Sequence, residues 1–134
     1  MSDVPKRPEF RNIHVTQILG YRMPLASQVS ILHRVSGMFL FLMLPFVLYL
    51  LEKSLTSEIS FEHFRGLTSG WFVKLILLGL AWSYLHHFCA GVRHLFMDMH
   101  FGIEKDSTRK SAAGVLAVSL FLTALVALKL LGVF

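Results

Sequence analysis

The feature that most constrains this chain is a set of three long stretches without a single Asp, Glu, Lys or Arg: Val35 to Leu51, Leu75 to Val92 and Ser111 to Leu128. An α-helix rises 1.5 Å per residue, so crossing ~30 Å of hydrocarbon takes about 20 residues. Each stretch reaches that length with its flanks, because the stems of Lys74 and Lys129 can lie in the apolar layer while their ammonium groups reach the interface. Helices buried in a soluble bundle would each need a polar face toward water, and these stretches have none. The pattern predicts an all-α membrane protein with three transmembrane helices, over approximately residues 26–51, 71–97 and 111–131, in one domain spanning 1–134. Pro45 falls inside the first span and is expected to kink it, the freed carbonyl being satisfied by neighbouring helices.

Outside the spans, residues 1–23 contain Pro5, Pro8 and scattered charge and read as an extended arm. Val15, Ile18, Leu19 and Tyr21 suit its end to headgroups or a partner, and Pro24 suits a first helical turn. Residues 53–70 form a connection in which Ser60 is expected to cap a short helix with Phe61, Phe64 and Leu67 on one face. The polar length before the first span does not fit a cleaved signal peptide.

The chain has a net charge of +5, which raises the question of nucleic acid. The charge is divided among short flanks, however, and forms no single patch. Lys6, Arg7, Arg11, Arg22 and Arg34 precede or open the first span, and Arg93, Lys105, Arg109 and Lys110 lie at the connection between the second and third. The opposite side has only Lys53, Arg65, Lys74 and Lys129. This asymmetry predicts a cytoplasmic N-terminus and an outward C-terminus. The single cysteine, Cys89, excludes an intrachain disulfide or Cys-cluster metal site, which leaves seven histidines as the candidates for metal chemistry.

Ionisable side chains at membrane depth are costly, so each invites a functional reading. His87 lies fifteen residues after Phe72, roughly 22 Å along the second span, in the cytoplasmic leaflet. The first span runs the other way, and its opening, Ser30-Ile31-Leu32-His33-Arg34-Val35-Ser36-Gly37, occupies the same leaflet. Within the second span, His87, Gly91, His94 and Asp98 share one face. An imidazole on a bundle-facing surface suits the axial position of haem iron. Gly91 would leave room for a flat macrocycle, Arg93 and His94 are placed toward its propionates, and Asp98 can hold the second nitrogen of His94 or solvate the helix end. Ser30 and Arg34, one turn apart, can bind and polarise a carbonyl oxygen such as that of a quinone.

Each residue also has a plain structural reading. An intramembrane His often serves as an interhelical hydrogen-bonding group, Arg34 and Arg93 as interfacial anchors, and Ser30 as a cap or a group bonded back to its own helix. His86 points about 100° away from His87, so only one of them can face a given cofactor. His14, His63 and His100 sit in polar flanks and are expected to be solvated, and Cys89 to act as a small buried hydrophobe.

The string from Ser30 to Gly37, the His87 to His94 pair closing Gly91-Val92-Arg93-His94, Asp98, Arg7-Pro8 and Tyr21-Arg22-Met23-Pro24-Leu25 together closely resemble the cytochrome b556 subunits of succinate dehydrogenase, the larger membrane anchors of complex II. The resemblance covers nearly the whole chain. It implies that His87 is the axial ligand of a haem b shared with a small hydrophobic anchor subunit, which supplies the second ligand. It also implies that His33, Arg34 and His94 lie around the propionates, and that Ser30 and Arg34 bind ubiquinone. FAD and the iron–sulfur clusters would belong to the flavoprotein and iron–sulfur partner subunits, so this chain would carry electrons onward without acting on succinate. The implied location is a bacterial inner membrane with a periplasmic C-terminus. Three alternatives remain at this level. A haem-free quinone-binding anchor would leave His87 unexplained. A cytochrome b subunit of another respiratory enzyme would be expected to carry a second His on the third span, which has none. A small transporter would be expected to show inverted repeats or broken helices.

Overall fold

The computed structural model describes residues 14–133, so Lys6, Arg7, Pro8 and Arg11 of the expected arm lie outside the described residues. The described chain forms five helices: α1 (Val15–Gly20), α2 (Leu25–Leu55), α3 (Glu58–Ser69), α4 (Trp71–Asp98) and α5 (Lys105–Leu130). Three of these, α2, α4 and α5, are long and apolar enough to cross a membrane. Pro24 stands immediately before α2 with φ −58° and ψ 149°, an extended conformation that ends the preceding segment and leaves Leu25 to start the helix. Helix α2 then continues through Pro45.

Two helix starts differ from the sequence expectation. Helix α3 is capped by Ser57 rather than Ser60: Ser60 N–H donates to Ser57 Oγ at 3.2 Å, and Ser57 N–H donates to Ser60 Oγ at 2.9 Å. Ser60 is the reciprocal partner of a capping box, so the helix begins three residues earlier than a Ser60 cap allows. Helix α5 begins at Lys105, ahead of the apolar stretch that opens at Ser111. An apolar stretch marks the part of a helix that needs lipid, and the polar residues from Lys105 to Lys110 continue the same helix into the interface.

The spans pack through small residues. Val29, Ala90, Ala112 and Val115 form the buried cluster where α2, α4 and α5 meet, and Ser36, Ser83 and Ser119 are buried as well. Phe41, Phe72, Phe88 and Phe121 are all more than half exposed. This inversion of soluble packing follows from the solvent. Lipid tails accept phenylalanine as readily as a protein core does, while small side chains let backbones approach closely.

Arg93 shows how far a helix face is set by its neighbour. Its position suggested propionates or the interface, yet it is 7 % exposed and turned toward α5. Its Nε donates to Ser111 Oγ at 2.9 Å and its Nη2 to the Thr108 carbonyl at 3.3 Å. Ser111 Oγ donates to that same carbonyl, and Thr108 Oγ1 donates to the Gly102 carbonyl, so one guanidinium anchors the α4–α5 connection. Hydrogen bonds from a charged donor are worth about 1.5–3 kcal/mol each. Arg93→Met is therefore expected to destabilise the fold by about 2–3 kcal/mol, read as a lower thermal midpoint of the detergent-solubilised protein. An unchanged midpoint contradicts the anchoring role.

Candidate functional site

The two strings singled out at one depth do meet. The His33 and His87 rings stack with centroids 4.2 Å apart and planes inclined by 15°. His94 adds a third imidazole, 5.1 Å from His33. Gly91 faces the same ring, a Cβ built there lying 3.6 Å from His33 Nε2. His33, His87, Gly91 and His94 thus form one cluster between α2 and α4.

His87 is oriented by the backbone of α2. Its Nδ1 lies 2.9 Å from the His33 carbonyl oxygen and 3.4 Å from Ser36 Oγ, whose own proton goes to that carbonyl. A carbonyl only accepts, so Nδ1 carries the proton and donates it. The lone pair is therefore on Nε2, which makes no hydrogen bond among the described residues. Fixing a tautomer through one nitrogen while presenting the other is the arrangement of a metal-ligating histidine. The interhelical hydrogen bond and the ligand role are thus not exclusive, since they use different nitrogens.

Gly37 makes this approach possible, and sequence reasoning assigned it no role. A Cβ at position 37 would lie 2.7 Å from Cε1 of His87 and 3.2 Å from Nδ1. The only sequence signal was its place one turn after His33 in the Ser30–Gly37 string. Overpacking of this kind costs about 1–3 kcal/mol. Gly37→Ala is expected to destabilise the fold by that amount, read as a lower thermal midpoint, and to displace the imidazole, whereas Gly79→Ala, with open space around position 79, should do neither. Equal tolerance of both substitutions contradicts the close contact.

His86 points elsewhere. It is fully buried, stacks on Trp82 at 5.3 Å, and neither of its ring nitrogens makes a well-formed hydrogen bond among the described residues, the nearest backbone group being that of Val29. Trp82 Nε1 has no partner among the described residues either. Ser30 is half-buried and Arg34 exposed, and neither makes a hydrogen bond among the described residues. Neither is joined to the histidine cluster by a hydrogen bond. Asp98 is exposed and does not hold His94. Among the remaining histidines, His14 and His100 are exposed, and His63 pairs with the Tyr49 hydroxyl at 3.3 Å while remaining exposed. Cys89 is half-buried against the Val29–Ala90 cluster.

No group of three His, Cys, Asp or Glu side chains among the described residues is arranged to hold a metal ion. What this chain offers iron is a single preset imidazole nitrogen beside a glycine. The residues fit a porphyrin-borne metal, whose macrocycle supplies the equatorial ligands, better than a bare ion.

The family model for the succinate dehydrogenase/fumarate reductase transmembrane subunit matches residues 7–126. The chain is similar to a succinate dehydrogenase cytochrome b556 subunit of Coxiella burnetii, at 38% identity over 85% of this chain and 88% of that protein. It is 33% identical to the subunit of that name from Paracoccus denitrificans, over 78% of this chain and 81% of the relative. A succinate dehydrogenase cytochrome b560 subunit of Marchantia polymorpha is 32% identical over 78% and 80%.

Proposed function

Since the chain belongs to the succinate dehydrogenase/fumarate reductase transmembrane subunit family, we propose that it serves as the larger membrane anchor of a succinate:quinone oxidoreductase. It holds one axial position of a haem b and helps to form the site where ubiquinone accepts electrons. The observation that carries this reading is the preset His87, with Nδ1 donating to the His33 carbonyl, Nε2 left without a hydrogen bond among the described residues, and the ring seated against Gly37.

When haem b is bound, His87 would supply the iron ligand, and Gly91, His33 and His94 would line its pocket, the histidines toward the propionates. When bound, haem b provides a one-electron carrier within the bilayer. Ser30 and Arg34 lie one turn apart at the opening of α2, on a surface that a second chain can complete. Ser30 donates a hydrogen bond to a quinone oxygen, and Arg34 stabilises the negative charge that develops there on reduction. A small hydrophobic anchor subunit would supply the second iron ligand. Iron–sulfur and flavoprotein subunits bring the electrons from succinate, and FAD and the clusters stay with them.

The basic residues favour a cytoplasmic N-terminus and an outward C-terminus in a bacterial inner membrane. That orientation puts the His87 end of the bundle at the face where soluble partners reach it. Co-expression with the partner subunits and purification in detergent tests the assignment. A four-subunit complex with a low-spin b-type spectrum and succinate:ubiquinone reductase activity is expected, while an intact complex without haem would leave only the anchor role.

A further inference from the structure

One cation in the bundle is buried without an acid to balance it. Arg93 is 7 % exposed, and no carboxylate pairs with it among the described residues. Its bonds to Ser111 Oγ and the Thr108 carbonyl go to neutral acceptors, so they satisfy N–H groups and leave the charge. Its Nη1 donates to no group among the described residues. Nor is Nη1 sealed in the interior, since the buried side-chain nitrogens without partners are those of Trp82 and His86. A charge held away from water without a counter-ion is costly, and at membrane depth it calls for a partner.

Arg93 lines a groove of about 380 Å³ with Cys89, Val92, Phe96, Phe101 and Ser111, and among the described residues no carboxylate lines it. Successive residues of a helix are about 100° apart, which puts Cys89, Val92 and Phe96 on the face of α4 opposite His87 and His94. The groove therefore faces away from the histidine cluster. Its depth follows from the charge-free stretches: Val92 is the last residue of the second and Ser111 the first of the third, so the Arg93–Ser111 bond stands at the end of both. Cys89 lies one turn deeper in the span than Arg93. Phe96 and Phe101, 54% and 66% exposed, lie on the outer side, at the level where aromatic residues meet headgroups. The groove thus passes from headgroup level, past the guanidinium, into the apolar stretch. A soluble anion would leave the Cys89 end unfilled, and a zwitterion would bring no net negative charge. We propose that this groove binds an anionic phospholipid, its phosphodiester on Arg93 and an acyl chain passing Val92 toward Cys89. The site rests on the packing of α4 and α5 and is independent of the haem and quinone assignment.

The test uses the assembled complex in mild detergent, with phosphatidylglycerol as the anionic probe and phosphatidylethanolamine as the zwitterionic control. Cys89 is the single cysteine of the chain, so its alkylation by N-ethylmaleimide reads occupancy of the groove as a mass shift of this subunit. Alkylation is expected to run roughly fivefold slower with phosphatidylglycerol than with phosphatidylethanolamine, the preference of one basic group near the headgroups. In Arg93→Gln the two lipids give equal rates. Should that variant assemble poorly, Val92→Trp narrows the groove while keeping the guanidinium. Native mass spectrometry of the Val92→Trp complex is expected to show phosphatidylglycerol lost to a similar extent, with the haem spectrum unchanged. Inorganic phosphate gives no protection. Equal protection by both lipids, protection by free phosphate, undiminished retention in Val92→Trp, or a Cys89 shielded by another subunit in the delipidated complex overturns the proposal.

Discussion

Replacing His87 by leucine is expected to remove the low-spin b-type absorption from the purified complex, while replacing His86 by leucine is expected to leave it in place. The two adjacent histidines make this a sharp experiment, because composition and depth are nearly identical and only direction differs. His87 has its tautomer fixed by the His33 carbonyl, with Nε2 left available. His86 is fully buried, and neither nitrogen makes a well-formed hydrogen bond among the described residues. A buried polar group without a partner carries an uncompensated desolvation penalty of about 1–3 kcal/mol. His86→Leu is therefore expected to be neutral or mildly stabilising in a thermal melt. If the spectrum vanished with His86 and survived loss of His87, the assignment of the two would be reversed.

Exchanging Arg34 for leucine is expected to lower succinate:ubiquinone reductase activity by about 10²–10³-fold, the usual effect of removing a charged stabiliser of a developing anion. Succinate oxidation measured with a soluble artificial acceptor should remain close to wild type, since that acceptor takes electrons before they reach the membrane. Ser30→Ala removes one neutral hydrogen bond, worth about 1 kcal/mol, and its effect should be several-fold at most. Arg34 is exposed and without a hydrogen bond among the described residues, so Arg34→Leu should not destabilise the chain. Equal loss of both activities would point to failed assembly and contradict a role at the quinone.

The spans were legible because lipid imposes a single strong rule, and the charge-free stretches satisfy it without needing a periodic pattern. Helix ends were less so. Ser57 and Ser60 are the same residue type three positions apart, and only their reciprocal hydrogen bonds decide which one caps α3. Helix α5 continues past its apolar stretch, because the polar residues from Lys105 onward form helix equally well at the interface. In the site, the spacing from His87 to His94 and the depth of His33 carried the reading, since both follow from the geometry of single helices. Gly37 and Arg93 escaped it. The need for glycine at 37 is created by an imidazole on another helix. The inward turn of Arg93 is created by Ser111 and Thr108 of α5. Such requirements exist only once two helices are packed together.

A density map of the assembled complex at the level of His87 tests the central claim most directly. The account predicts porphyrin iron within bonding distance of His87 Nε2, its Nδ1 still donating to the His33 carbonyl, and the sixth ligand supplied by a different chain. Iron bound elsewhere, with the His87 ring packed against acyl chains, would contradict it.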